Sequence, residues 1–141
     1  MRVPKPYGPR GIAMLALAVL AFGRAVAYTQ PASPTFTPAI LLELQHIIPT
    51  ITYGVLWFAT GIIVTVGAYR KQQIPALSAM AGMSTLWAIV YVWAAVTRTI
   101  DAGAVASIGS WITATVYAAV VIIIGAMAAM INKVERVNAD E

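Results

Sequence analysis

The chain has 141 residues, 60% of them hydrophobic and only 10% charged, with a mean hydropathy of +0.81. A soluble domain carries about 25% charged residues, so this chain lacks the polar material to coat a globular core of its own, and lipid is the solvent its composition fits. Nine Lys and Arg against five Asp and Glu give a net charge of +4, in pairs and singles too sparse for a nucleic-acid surface, and the absence of cysteine excludes disulfides, thiolate chemistry and Cys-based metal sites.

Residues 1–10, MRVPKPYGPR, place Arg2, Lys5 and Arg10 among Pro4, Pro6 and Pro9. Proline opposes helix, so this stretch is expected to be an extended basic arm. Residues 11–28, GIAMLALAVLAFGRAVAY, read in two ways. One is a first transmembrane helix, the favoured reading. The other is a secretory signal peptide, with IAMLALAVLAF as its apolar region and Ala25-Val26-Ala27 as its cleavage site. Both put residue 29 on the same outer side. Arg24 is the only ionisable residue inside a span. It lies about 20 Å along the helix from Gly11, in a hydrocarbon layer about 30 Å thick. That places it nearer the outer interface, where its stem is expected to snorkel as an anchor. The alternative pairs its charge with Glu43 or Asp101.

Residues 29–49 form the first outer segment. TQPASPTFTP is a loop by composition. Thr37-Pro38 reads as a helix N-cap followed by proline at the first helical position. AILLELQHII then suits a short interfacial helix on the outer leaflet, with Ile40, Leu41, Leu44, Ile47 and Ile48 on one face. Glu43 and His46 stand one turn apart, a spacing found in carboxylate-bridged metal bundles. Such sites need further Glu and His on facing helices, and this chain has a single His. Two solvated residues on a polar face are expected instead, with no metal and no cofactor.

The second span covers residues 51–69 and the third 76–97. Between them residues 70–75, RKQQIP, make a turn carrying Arg70 and Lys71. Residues 98–107 read as an outer loop with Arg98, Asp101 and Gly103, residues 108–131 as the fourth span, and residues 132–141 as a polar, mobile tail. The expected fold is an all-α integral membrane protein with four transmembrane helices and a short interfacial helix before the second. The positive-inside bias sets its orientation. With both termini cytoplasmic, Arg2, Lys5, Arg10, Arg70, Lys71, Lys133 and Arg136 lie inside, leaving Arg98 and interfacial Arg24 outside. Tyr28, Tyr53, Trp57, Trp93 and Trp111 then fall near the outer ends of their spans, as an aromatic belt does.

The second, third and fourth spans contain no ionisable residue. Proton-coupled transporters, pumps and intramembrane hydrolases place acids, bases or His there, so no catalytic residue is assigned and no enzyme activity is expected. The spans instead carry small and hydroxyl residues at helical spacing: Tyr53, Trp57, Thr60, Gly61 and Thr65 on the second, Ser78, Gly82 and Thr85 on the third, and Ser107, Ser110, Thr113 and Tyr117 on the fourth, with Gly125 and Ala129 below. Small residues let helices approach closely, and hydroxyls bond across the contact at roughly 1 kcal/mol each. These faces either pack one four-helix monomer or line a wet path in an oligomer. Met80 with Met83, and Met127 with Met130, lie one turn apart; thioethers can bind Cu(I), but without Cys or His beside them they are expected to fill gaps.

The basic N-terminal arm, the Ala-rich uncharged spans, the short loops and the charged tail NKVERVNADE together resemble, in layout, small phage holins and the membrane proteins encoded near them in phages of actinobacteria. Four spans exceed the one to three of most holins, and this tail is less basic than theirs. The resemblance implies a protein of the bacterial cytoplasmic membrane that forms homo-oligomers, permeabilises the bilayer, and so releases or activates a lytic partner. An accessory or scaffold subunit of a larger membrane complex explains the same small-residue faces.

Overall fold

The computed structural model describes residues 5–29, 49–102 and 104–139, without the side chains of 102, 104–107 and 131–139. Four α-helices follow one another: α1 (Gly8–Ala27), α2 (Thr50–Ala68), α3 (Ile74–Ala102) and α4 (Ala104–Ala139). Among the described residues there is no strand, and all four helices are long and apolar enough to cross a membrane. The expected interfacial helix, with Glu43 and His46, lies outside the described residues.

Helix α1 starts within the proline-rich arm rather than after it. Pro9 sits in its first turn, where the missing N–H costs nothing. Gly8 turns the chain into the helix at φ +67°, a left-handed conformation that glycine adopts without strain. The lead-in is tied down: the Tyr7 N–H donates to the Ala68 carbonyl at the end of α2, and the buried Gln73 Nε2 donates to the Tyr7 carbonyl. At the far end of α1 the Tyr28 N–H donates back to the carbonyls of Arg24 and Ala25.

The third and fourth helices overrun the expected spans. The expected loop at 98–107 is helical up to Ala102 and again from Ala104, a single residue separating the two helices. Apart from Gly103 nothing in that stretch breaks a helix, and the hydroxyls of Thr97 and Thr99 bond back to carbonyls one turn earlier, at Trp93, Ala94 and Ala95. The tail is likewise helical as far as Ala139, since NKVERVN contains good helix formers and neither Gly nor Pro.

The chain runs up and down through the four helices, so one end gathers the start of α1, the α2–α3 turn and the C-terminal half of α4. Arg10 Nη2 reaches the Met130 carbonyl there, at 3.4 Å. The closest pairings are α1 with α2 and α3 with α4, whereas α2 and α3, joined by the basic turn, touch more sparsely. Glycine makes the first pairing possible. A Cβ on Gly11 would lie 2.5 Å from the Ala68 carbonyl oxygen, and one on Gly61 would meet the Phe22 ring at 2.8 Å. The core between the pairs has two halves. Near the basic end it is Met14, Val64, Leu77, Met80, Ile124 and Met127; near the other end it is aromatic.

Candidate functional site

Every helix contributes to the aromatic half. Tyr53 and Trp57 stand one turn apart on α2, as do Trp87 and Tyr91 on α3, and a helix places such pairs on one face. Tyr28, which follows the last turn of α1, and Tyr117 on α4 complete the cluster. Trp87 is its hub: its ring centroid lies 5.9 Å from that of Tyr28, 5.7 Å from Tyr53 and 5.6 Å from Trp57, all edge to face. Tyr117 stacks on Trp57 at 5.9 Å and on Tyr91 at 6.0 Å. Offset stacks and edge-on contacts of this kind add about 0.5–1.5 kcal/mol each beyond burial.

Polar groups run through this apolar setting. Trp87 Nε1 donates to the Tyr28 hydroxyl at 2.6 Å, a buried bond from α3 to α1. Arg24, half-buried in the last turn of α1, holds its guanidinium carbon 5.1 Å from the centroid of the Tyr117 ring. A cation on an aromatic face gains about 0.5–2 kcal/mol, more when desolvated. That is a third placement for Arg24, beside the snorkelling anchor and the ion pair; Glu43 lies outside the described residues and Asp101 is exposed. Three further polar atoms, Trp57 Nε1, Ser84 Oγ and Tyr117 Oη, are buried without a hydrogen-bond partner among the described residues. Each such atom costs about 1–3 kcal/mol.

The cluster can orient and hold. It contains one permanent cation and several hydroxyl and indole donors, and it links α1 to α3 and α4 through Tyr28 and Arg24. Among the described residues no group of three His, Cys, Asp or Glu side chains is placed to hold a metal.

The sequence-derived packing candidates divide into two sets. Thr60, Gly61, Ser110 and Tyr117 are buried inside the bundle, and Thr65 and Thr113 are half-buried. Thr60, Thr65 and Thr113 turn their hydroxyls onto carbonyls of their own helix, at Leu56, Gly61 and Gly109. Ser78, Gly82, Thr85 and Gly125 are exposed, and a Cβ added at Gly82 or Gly125 would meet nothing within 4 Å. Arg70 and Lys71 are exposed in the α2–α3 turn. Met80 and Met127 fill the core, whereas Met130 is exposed.

The aromatic belt needs correcting. Trp93 and Trp111 do face outward, but Tyr28, Tyr53 and Trp57 are interior. The signal that separates them was the spacing: Tyr53 and Trp57 share a face with Thr60, Gly61 and Val64, the buried side of α2. Trp87 and Ser84 drew no attention in the sequence, although they continue the face of Leu77 and Met80.

No protein-family model matches the chain, and no curated protein or solved structure matches it significantly.

Proposed function

We propose that this is a holin-like protein of the bacterial cytoplasmic membrane, with its basic end in the cytoplasm, which self-associates in the bilayer and permeabilises it during phage lysis. The observation that carries this reading is the set of outward glycines. Gly23, Gly82, Gly109 and Gly125 all lie in helices where an added Cβ would meet nothing. Glycine costs about 1 kcal/mol relative to alanine in a helix interior, and within one bundle these positions repay nothing. On α3, Gly82 stands between the exposed Ser78 and Thr85, a face that lets a second helix approach closely and bond to it. Because aromatic rings fill the upper core of each copy, the water path in this reading forms between copies and not through one.

Induced expression in bacteria carrying a potential-sensitive dye tests the proposal. The expected result is a delayed, abrupt loss of membrane potential and growth arrest, postponed or abolished by Gly82→Leu. Sustained growth with an intact potential at high expression would overturn it.

The second reading, an accessory or scaffold subunit, draws on the α3–α4 hairpin. Tyr28 at the end of α1 lies beside Trp87, yet α3 continues to Ala102, about 22 Å further along. This overhang exposes Trp93, Ile100, Trp111 and Ile112, a surface suited to a larger partner. A crosslinking pull-down that returned only copies of this chain would count against it.

A further inference from the structure

We infer that the basic end of the bundle binds an anionic phospholipid, its phosphate on Arg10 and an acyl chain in the groove between α1 and α4. The groove encloses about 540 Å³, and its floor is built from Tyr7, Pro9 and Ala13 on one side and Met127 and Met130 on the other. Volumes of roughly 300–1,000 Å³ are usual for sites that hold small molecules. The wall is apolar and the methionines can bend to fit a flexible chain. Arg10 is the charged member of the lining. Its Nη2 makes one long, exposed contact to the Met130 carbonyl at 3.4 Å, which leaves further N–H donors for a phosphate.

Position supports the assignment. Arg10 lies in the first turn of α1, and Met130 ends the apolar stretch Ile108–Met130 of α4. The mouth therefore falls where apolar surface gives way to polar chain, which is the headgroup level of a bilayer. Lys5, Arg70 and Lys71 are exposed at the same end. A basic end attracts anionic headgroups and repels the ammonium of zwitterionic ones. A soluble phosphate would gain the charge but nothing from the floor. The same construction recurs between α2 and α3, where a groove of about 310 Å³ has Ile63, Val66 and Ala76 along it and Arg70 in its lining. This inference does not depend on self-association or on pore formation.

The test uses the purified full chain incubated with equal amounts of phosphatidylglycerol and phosphatidylcholine, with retained lipid counted by native mass spectrometry and helicity checked by circular dichroism. The wild-type chain should retain phosphatidylglycerol preferentially. Arg10→Gln should lower that preference about fivefold, and Arg10→Lys should keep most of it. Ala13→Trp, which fills the groove without changing charge, should lower phosphatidylglycerol retention in a chain that is still helical. Equal retention of the two lipids by the wild-type chain would overturn the inference. So would a preference unmoved by both Arg10→Gln and Ala13→Trp, or displacement by soluble glycerol phosphate at concentrations as low as those of the lipid.

Discussion

Two tyrosine hydroxyls in one cluster have opposite circumstances. That of Tyr28 accepts the Trp87 indole N–H, whereas that of Tyr117 is buried with no partner among the described residues. Removing one member of a buried pair strands the other, while removing a hydroxyl that was already alone strands nothing. We therefore expect Tyr28→Phe to destabilise the bundle by about 1–3 kcal/mol. Tyr117→Phe should be neutral or slightly stabilising. Thermal unfolding in detergent measures both, and equal losses in the two variants would show that Tyr117 has a polar partner too. The pair was invisible in the sequence, because a tyrosine near the end of an apolar segment suits a lipid interface as well as a core. Only the meeting of four helices decides between them, and that depends on contacts between residues as distant as Tyr28 and Trp87.

Among the elements, glycine separates the helices by use. Gly11 of α1 and Gly61 of α2 are consumed inside the bundle, against the Ala68 carbonyl and the Phe22 ring, whereas Gly23 near the end of α1 faces open space. On α3 and α4 glycine points away from the bundle. Gly11→Ala should cost about 1–3 kcal/mol, the range for overpacking a tight contact, because the obstacle is backbone and cannot rotate aside. Gly82→Ala should instead raise stability in detergent by up to about 1 kcal/mol. A loss at Gly82 as large as that at Gly11 would mean that Gly82 is packed after all. The helices themselves were legible, since four long apolar stretches with Arg24 as their one charge leave little choice of structure. Their ends were less so: polar residues in the tail and in 98–107 read as loop, although Lys133, Glu135 and Arg136 are good helix formers. The turn at Arg70 and Lys71 joins two helices that are not the closest pair. Sequence adjacency says which helices follow one another, and side-chain size says which ones fit.

For the molecule as a whole, basic charge is denser at one end, with Arg24 and Arg98 lying toward the other. Lys5, Arg10, Arg70 and Lys71 are brought to the denser end by the up-and-down course of the helices, while Asp101 lies at the other. The natural chain has no cysteine, so single-cysteine variants report sidedness without background. In intact cells a membrane-impermeant maleimide should label Ile100→Cys and spare Lys71→Cys; the reverse pattern would place the basic end outside. The helices also divide by length. With 20 and 19 residues, α1 and α2 are about 30 Å long, close to the hydrocarbon width of an ordinary bilayer, whereas α3 and α4, with 29 and 36 residues, reach about 44 and 54 Å. In a bilayer the four helices make unequal demands on the surrounding lipid annulus. Only the apolar stretches meet hydrocarbon: Ile108–Met130 of α4 covers about 35 Å, near the bilayer width, whereas Ile74–Asp101 of α3 covers about 42 Å and must tilt or stand out of the lipid, at a cost of fractions of a kcal/mol per ångström of mismatch. Thinning or thickening the lipid is therefore expected to act first on the tilt of α3, without touching any side chain of the core.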